Sequence, residues 1–360
     1  MDIFVYGIFG SEIRLKGIAD EISSLIWKRC FYGSDEFELL LPLTDRNKSL
    51  FTEGSIVEIK GKYSGFITKL DVFRRESSFF IKAEGCSFDG LLKRRVLTEH
   101  KEGDSLFTVI SRNCGELAEE IRRFPSFDID MSKDCVTSLA EAYRFKSLAA
   151  FACASGQQND TGIMSELVHS GTTHRIRLYS RKAVDRTASQ NVNRRAVFSD
   201  RYESFYSGEY SYNENNAMTG AVVYSESKHL YDTFIPEWHG IFGSGSAGFA
   251  RYERAYKIQP KITYVPKTLA GVTVYIPSLD KEKTEQYGEY VHLSNYSGFE
   301  DHMTVYFIPE KNYTDFFDVG DKVTVECSRF GRCIHQNIRT ITEHYRNGGF
   351  YAEADIGVLK

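Results

Sequence analysis

Four side chains near the C-terminus, Cys327, Cys333, His335 and His344, are of the types that hold zinc. Their spacing argues against it. Cys-x₅-Cys is not a zinc-knuckle interval, and alternation in the segment reads as strand. Cys333 and His335 then share a face, but two ligands do not close a tetrahedral site. Gly243-Ser244-Gly245-Ser246-Ala247-Gly248 spells G-x-G-x-x-G. A dinucleotide loop needs a strand before it and a helix N-terminus after it, so that backbone N–H groups meet the pyrophosphate. Phe249 to Tyr256 reads as strand, and the segment is expected to be a β–β connection. Asp128 and Asp130, two apart in Phe127-Asp128-Ile129-Asp130, put two carboxylates on one extended face. Acid–base work also needs a pocket and a tuned pKa, so solvated loop carboxylates are expected. No G-x-S-x-G elbow, H-E-x-x-H or Walker loop occurs. The doublets Arg94-Arg95, Arg122-Arg123 and Arg194-Arg195 could line a polyanion channel, or serve as solvated faces or interface ion pairs. No catalytic, cofactor-binding or metal residue emerges, and no enzyme is expected.

The elements that would position such groups are mostly strands. The chain has 360 residues and a net charge of −4, from 45 Lys and Arg against 49 Asp and Glu. That length corresponds to two or three domains at ~150 residues each. The near-balance excludes nucleic-acid affinity driven by bulk charge. Aromatics reach 14%, with 28 glycines and 7 prolines, a composition that favours strands and turns. Seven scattered cysteines suggest reduced thiols in a protein assembled in a cytosol. No apolar run is long enough to span a membrane, and Asp2 without a basic start argues against a secretory signal.

Short apolar runs separated by turns predict strands at Ile3–Tyr6, Ser24–Arg29, Phe37–Leu41, Ile56–Ile59, Gly65–Leu70 and Phe79–Ala83. Apolar spacing from Phe107 to Ile121 predicts an amphipathic helix closed before Pro125, and a second helix is expected from Leu139 to about Ala154. Strands resume after Ala196.

Two segments share a pattern. Phe51-Thr52-Glu53-Gly54 precedes Val57, Ile59 and Gly65, and Phe317-Asp318-Val319-Gly320 precedes Val323, Val325 and Gly331. Phe79, Ile81 and Ala83 then match Phe350, Ala352 and Ala354 after a five-residue difference in loop length. The expectation is a duplication with Gly54 on Gly320 and Gly65 on Gly331. The fold class is therefore mainly β with an α+β insertion: two similar β-barrels plus an α+β domain. The expected boundaries are 1–98 for the first barrel, 99–195 plus 259–310 for the α+β domain, and 196–258 plus 311–360 for the second, split barrel.

Several motifs, in order, resemble a siphophage tail or baseplate hub family related to the N-terminal hub portion of tail-associated lysins. They are Ser24-Leu25-Ile26-Trp27-Lys28-Arg29, Phe31-Tyr32, and Asp35-Glu36-Phe37-Glu38-Leu39 with Leu41-Pro42. Gly65-Phe66-Ile67 follows, then the turn from Gly85 through Leu91-Leu92-Lys93-Arg94-Arg95. Arg123-Phe124-Pro125, Asp185-Arg186-Thr187 and Phe317 to Gly331 complete the set. The likeness is weakest over 259–310. It implies a non-enzymatic homotrimeric ring joining a sixfold tail tube to threefold tip proteins. Its partners would be distal tail or tube proteins and tip or spike proteins, with DNA passing through the lumen without specific binding. No cofactor and no membrane insertion by this chain are implied. The location would be a virion tail tip or baseplate, assembled in a bacterial host cytoplasm. The chain ends at Lys360, just past the second barrel, so a lysin-type hydrolase extension is not expected. The alternatives are a carbohydrate- or receptor-binding tail protein, or a hub-linked cell-wall hydrolase.

Overall fold

A computed structural model describes the chain except residues 1, 20, 102, 138, 141–142, 214–219, 229–233, 244–252, 258–261, 270–271, 280–299, 310–312, 347–348 and 358–360. It forms two compact units, residues 1–211 with 301–360, and residues 212–300. Mostly it is β, dominated by one large mixed sheet.

The N-terminal part is β1 (Ile3–Phe9), β2 (Glu12–Ile18), β3 (Ser24–Cys30), β4 (Glu36–Pro42), α1 (Asp45–Leu50), β5 (Ile56–Ile59), β6 (Tyr63–Arg75) and β7 (Ser78–Cys86). Alternation decides which face is buried. Leu25 and Trp27 of β3, and Phe37, Leu39 and Leu41 of β4, turn into one core with Ile3, Val57, Ile67 and Ile81. Burying each such side chain is worth about 1.5–3 kcal/mol. Trp27 stacks on Phe37 at 4.8 Å between ring centres and on Tyr63 at 5.5 Å. The one-and-a-half-turn α1 starts because Thr44 caps it, its hydroxyl accepting the Asn47 N–H at 3.0 Å. Buried Asn47 in turn donates to the Pro42 carbonyl at 3.0 Å.

A middle block follows: α2 (Leu106–Cys114), β8 (Phe127–Ile129), α3 (Leu148–Gln158), β9 (Thr161–Ser170), β10 (Thr173–Lys182) and β11 (Val197–Ser199). Both helices are shorter than expected. α2 stops at Gly115, and the chain to Arg122 continues only as a short 3₁₀ turn. α3 begins at Leu148 rather than Leu139, because the preceding segment is held by other bonds. The Leu97 N–H donates to the Lys146 carbonyl and the Phe145 N–H to the Leu97 carbonyl.

The C-terminal part is β12 (Ser207–Asn213), then β13 (Gly220–Lys228), β14 (Phe234–Gly243), β15 (Glu253–Lys257), β16 (Ile262–Leu269) and β17 (Val272–Leu279). After these come β18 (Glu300–Phe307), β19 (Lys322–Cys327), β20 (Arg332–Arg346) and β21 (Gly349–Gly357). Strands β18 to β21 repeat β4 to β7 residue by residue. Glu36 faces Cys86 as His302 faces Gly357. Ile56 faces Phe66 as Lys322 faces Asn337. The hairpins β6–β7 and β20–β21 share a bulge, at Ile67/Lys69 and Ile338/Thr340, and close with Arg75 opposite Ser78 and Arg346 opposite Gly349. The cores correspond as well. Leu39, Val57, Ile67 and Ala83 hold the places that Val305, Val323, Ile338 and Ala354 hold in a second, separate core.

One expected equivalence fails. Ten residues separate Ile56 from Phe66 but fifteen separate Lys322 from Asn337, so the five-residue excess lies in the β19–β20 hairpin. Gly54 therefore matches Gly320, both with positive φ, but Gly65 matches Gln336. Gly65 is a strand residue, where a Cβ would sit 2.5 Å from the Cys86 carbonyl oxygen, whereas Gly331 is a turn residue at φ +61°. Shared spacing had concealed two different backbone reasons for glycine.

The large sheet runs β12-β18-β21-β20-β3-β4-β7-β6-β5-β1-β2-β10-β8, with β19, β11 and β9 attached beside it. The path does not return to its start, so among the described residues neither repeat is closed by hydrogen bonds into a barrel. Between β12 and β18, where the first repeat has the short Phe31–Asp35 turn, the sequence carries the second unit. That unit contains a three-stranded sheet, β14-β13-β15, and the hairpin β16-β17. The expected boundary between residues 258 and 259 falls inside it. Among the described residues no helix is long and apolar enough to cross a membrane.

Candidate functional site

The two repeats meet edge to edge. β3 of the first pairs antiparallel with β20 of the second, from Ser24 opposite Arg346 to Cys30 opposite Thr340. Behind this seam lies a buried charge cluster. Arg29 of β3 forms an ion pair with Asp318, just before β19. Arg181 of β10 binds Asp321 at 2.7 Å, and Arg186 binds its other carboxylate oxygen at 2.7 Å. Asp321 is fully buried and also accepts the Asp318 N–H at 3.1 Å. Burial works against a charged Asp318, but Arg29 and Arg181 outweigh it and hold its carboxyl below the usual range. Three parts of the chain, β3, β10 with the following loop, and the Asp318-to-Asp321 turn, are thereby locked together.

A second cluster centres on Glu343 of β20, fully buried. Its carboxylate accepts the Tyr63 hydroxyl at 2.7 Å and the Tyr313 hydroxyl at 2.6 Å, together with the Tyr345 hydroxyl. Lys62 lies 3.7 Å away. Burial, joined by the neighbouring carboxylate, raises all three phenols. Tyr63 belongs to the first repeat and Glu343 to the second, so this network is also a joint.

The opposite face of the same joined sheet is polar and concave. It borders a cavity of about 1020 Å³ that extends over both repeats, from Glu84, Glu38 and Lys28 to Thr342, His344, Glu353 and Asp355. Several charges on this face pair with one another, whereas Lys28, Lys93 and Arg94 of the cavity lining form no ion pair among the described residues. Lys82 reaches Glu38 at 2.9 Å and Glu84 at 2.7 Å, Lys69 reaches Asp71 at 2.7 Å, and Arg339 reaches Asp355 at 3.3 Å. His344 lies flat on Tyr351, rings 4.4 Å apart, with Glu353 at 3.8 Å.

The candidates read from sequence do not converge. Cys327 is buried with its thiol toward Asp200, and Cys333 is exposed opposite Glu326. His335 pairs with the Thr324 hydroxyl at 2.9 Å, and His344 is on the concave face. Among the described residues no three His, Cys, Asp or Glu side chains come together as a metal site. Asp128 faces Arg175 at 3.3 Å and Asp130 faces Arg177 at 3.3 Å, at the surface. The glycine run 243–248 lies outside the described residues beyond Gly243.

The arginine doublets are mostly engaged locally. Arg95 stacks over Phe124 at 4.1 Å, Arg123 donates to the Glu116 and Ala118 carbonyls, and Arg194 stacks over Phe316 at 3.6 Å. Arg94, over Phe66 at 4.9 Å, also borders the concave face.

Sequence reading missed both buried clusters. Arg29, Arg186, Asp318 and Asp321 all stood within the quoted motifs, but nothing in their spacing says that they meet. Arg181, Tyr63 and Glu343 carried no signal: they read as ordinary strand residues.

Comparison with known proteins supplies the family. A family model described as siphovirus ReqiPepy6 Gp37-like protein matches residues 5–230. No curated protein matches. Among solved structures the chain is similar to the 43 kDa tail protein of prophage MuSo2 from Shewanella oneidensis. The TM-score is 0.59 at 11% identity, over 99% of this chain and 98% of that one. It is similar to a tail protein from Neisseria meningitidis MC58, with TM-score 0.56 at 11% identity over 99% and 97%. A Francisella PdpA-VgrG complex, half-lidded, gives TM-score 0.52 at 10% identity, over 99% of this chain and 57% of that one. At such identities the likeness is one of fold, and it is to phage tail proteins, as the ordered motifs imply. With more than half of its length matched by the family model, the chain belongs to the siphovirus ReqiPepy6 Gp37-like family.

Proposed function

We propose that the protein is a non-enzymatic hub at the tip or baseplate of a phage, prophage or phage-tail-like particle, three copies forming a ring on the tail axis. The observation that carries this is the joint itself. Two repeats with the same strand register and the same bulge are laid edge to edge in one continuous sheet. Three chains then offer six similar units to a sixfold tube while keeping threefold symmetry for a tip. The fixed order of two unlike repeats lets one protein present both symmetries. Under this reading the first repeat and the β12, β18–β21 repeat serve as the two similar β units of the ring, with the middle block as the α+β part.

The polar concave face is our candidate for the lumen wall. Lys82 and Arg339 on it are held by carboxylates in the same sheet, and along the cavity lining Glu36, Glu38, Glu84, Glu353 and Asp355 outnumber Lys28, Lys93 and Arg94. A groove that grips nucleic acid leaves basic groups for phosphates and aromatic faces for bases. A wall on which carboxylates outnumber basic groups suits a channel through which DNA slides. Tube proteins on one side and tip or spike proteins on the other are the proposed partners, with assembly in the host cytoplasm. A reconstruction of the particle tests this: three copies in an axial ring are expected. Six copies, or a position away from the axis, would defeat it. A zymogram on purified peptidoglycan is expected to show no clearing.

A further inference from the structure

The inner edge of β20 is shared. β19 pairs with its first part, from Arg332 to Asn337, and β3 with its second, from Thr340 to Arg346. In the first repeat β5 pairs with the corresponding first part of β6, from Tyr63 to Phe66. The second part, Lys69 to Arg75, pairs with β7 on one side only, and among the described residues no strand occupies the other side. This is the seat that β3 fills in the second repeat. The strand that corresponds to β3 is β12. Ser23 donates its N–H to the Leu40 carbonyl at 2.9 Å, and Tyr206 donates likewise to Tyr306, the residue matching Leu40, at 2.9 Å. Both strands then begin at the next residue and run for seven. β12 ends the sheet order, so its second edge also has no strand partner among the described residues.

The exposed surface agrees. Glu343 is fully buried, whereas Val72, at the matching position of β6, is 57% exposed. Nor is the β6 edge blunted by its bulge, because the same bulge in β20 lies beside a paired edge.

We propose that β12 of one copy adds to the free edge of β6 in the next copy, in the register of the internal joint. Tyr210 then faces Val72, Ser211 faces Asp71, Glu209 faces Phe73 and Ser207 faces Arg75. Tyr210 packs against the second core of its own chain, so Val72 extends that core across the boundary. On the polar face Glu209 lies diagonally from Asp71 and Arg75. The contact is heterologous, head to tail, and repeats around a ring. The inference deepens the ring reading and rests on it for the partner, a second copy.

The test uses the full chain fused at its C-terminus to a trimeric coiled coil, so that weak association is offset by local concentration. Cys333, the exposed thiol, is changed to Ser. Val72→Cys with Tyr210→Cys places two thiols on directly opposed strand residues, whose ~4.5–5.5 Å Cα spacing suits a disulfide. Mild oxidation is expected to convert the chain into covalent dimers and trimers on a non-reducing gel. Val72→Cys with Glu209→Cys, pointing to opposite faces, is expected to remain uncrosslinked. Asp71→Cys with Ser211→Cys, in the same register on the polar face, serves if the first pair fails to fold. Trimers by light scattering without the 72–210 and 71–211 cross-links overturn the strand pairing, as does equal cross-linking of the control. The ring reading is judged separately, by copy number in the particle.

Discussion

Asp321→Ala removes the carboxylate shared by Arg181 and Arg186 while leaving both guanidiniums half-buried. It also strips the Asp318 N–H and the Val184 N–H of their acceptor. Breaking a buried ion pair by deleting one partner costs about 3–5 kcal/mol, because the remaining charge stays desolvated. At roughly 2–3 °C per kcal/mol for a domain of this size, the midpoint should fall by about 6–15 °C. Asp321→Asn keeps the shape and one acceptor oxygen, so it should fall between the variant and the wild type. Thermal unfolding followed by circular dichroism, with urea titration beside it, reads both. The drop should persist in 0.5 M NaCl, since buried pairs are screened little. An Asp321→Ala midpoint within about 2 °C of wild type would refute the idea that this cluster locks the seam.

Further outcomes follow from the same geometry. Glu343→Ala should cost about 3 kcal/mol or more in urea titration, since three tyrosine hydroxyls lose their common acceptor; an unchanged midpoint would mean that water replaces it. Gly320→Ala and Gly54→Ala should differ although the glycines are equivalent. Both have positive φ, but only at Gly320 would the Cβ meet a ring, Phe31 at 2.3 Å, so about 1 kcal/mol is expected at Gly54 and several at Gly320. Asp89 is buried beside Asp35, and burial foremost lifts its carboxyl from 3.8 to about 7. The folded chain thus holds a proton that the unfolded chain releases. That stabilisation is complete below about pH 4 and lost as pH rises through about 7, on the order of 4 kcal/mol. Asp89→Asn should flatten this part of the stability profile between about pH 4 and 7, and a variant whose profile parallels the wild type would contradict it.

Strand positions in both repeats were legible because burial on one face imposes alternation, and alternation survives in a single sequence: Phe37-Leu39-Leu41 and Val323-Val325 needed no structure to be read. The turn glycine pair Gly54 and Gly320 was legible for the same local reason, since left-handed backbone selects glycine whatever lies far away. Family membership was carried by the order of short motifs. The limit came where meaning depends on partners distant in sequence. Gly65 and Gly331 share a spacing, yet one avoids the Cys86 carbonyl and the other turns a hairpin. The helix expected up to Ile121 ends at Cys114, because Gly115 and the bonds beyond it end the helical ladder. Arg29 and Asp318 are 289 residues apart, and Tyr63 and Glu343 are 280 apart. A charge on a strand looks the same in sequence whether it points to water or to a buried counter-ion. Only the pairing of β3 with β20 brings these groups into contact, and only the strand order shows that among the described residues no strand lies beside the outer part of β6.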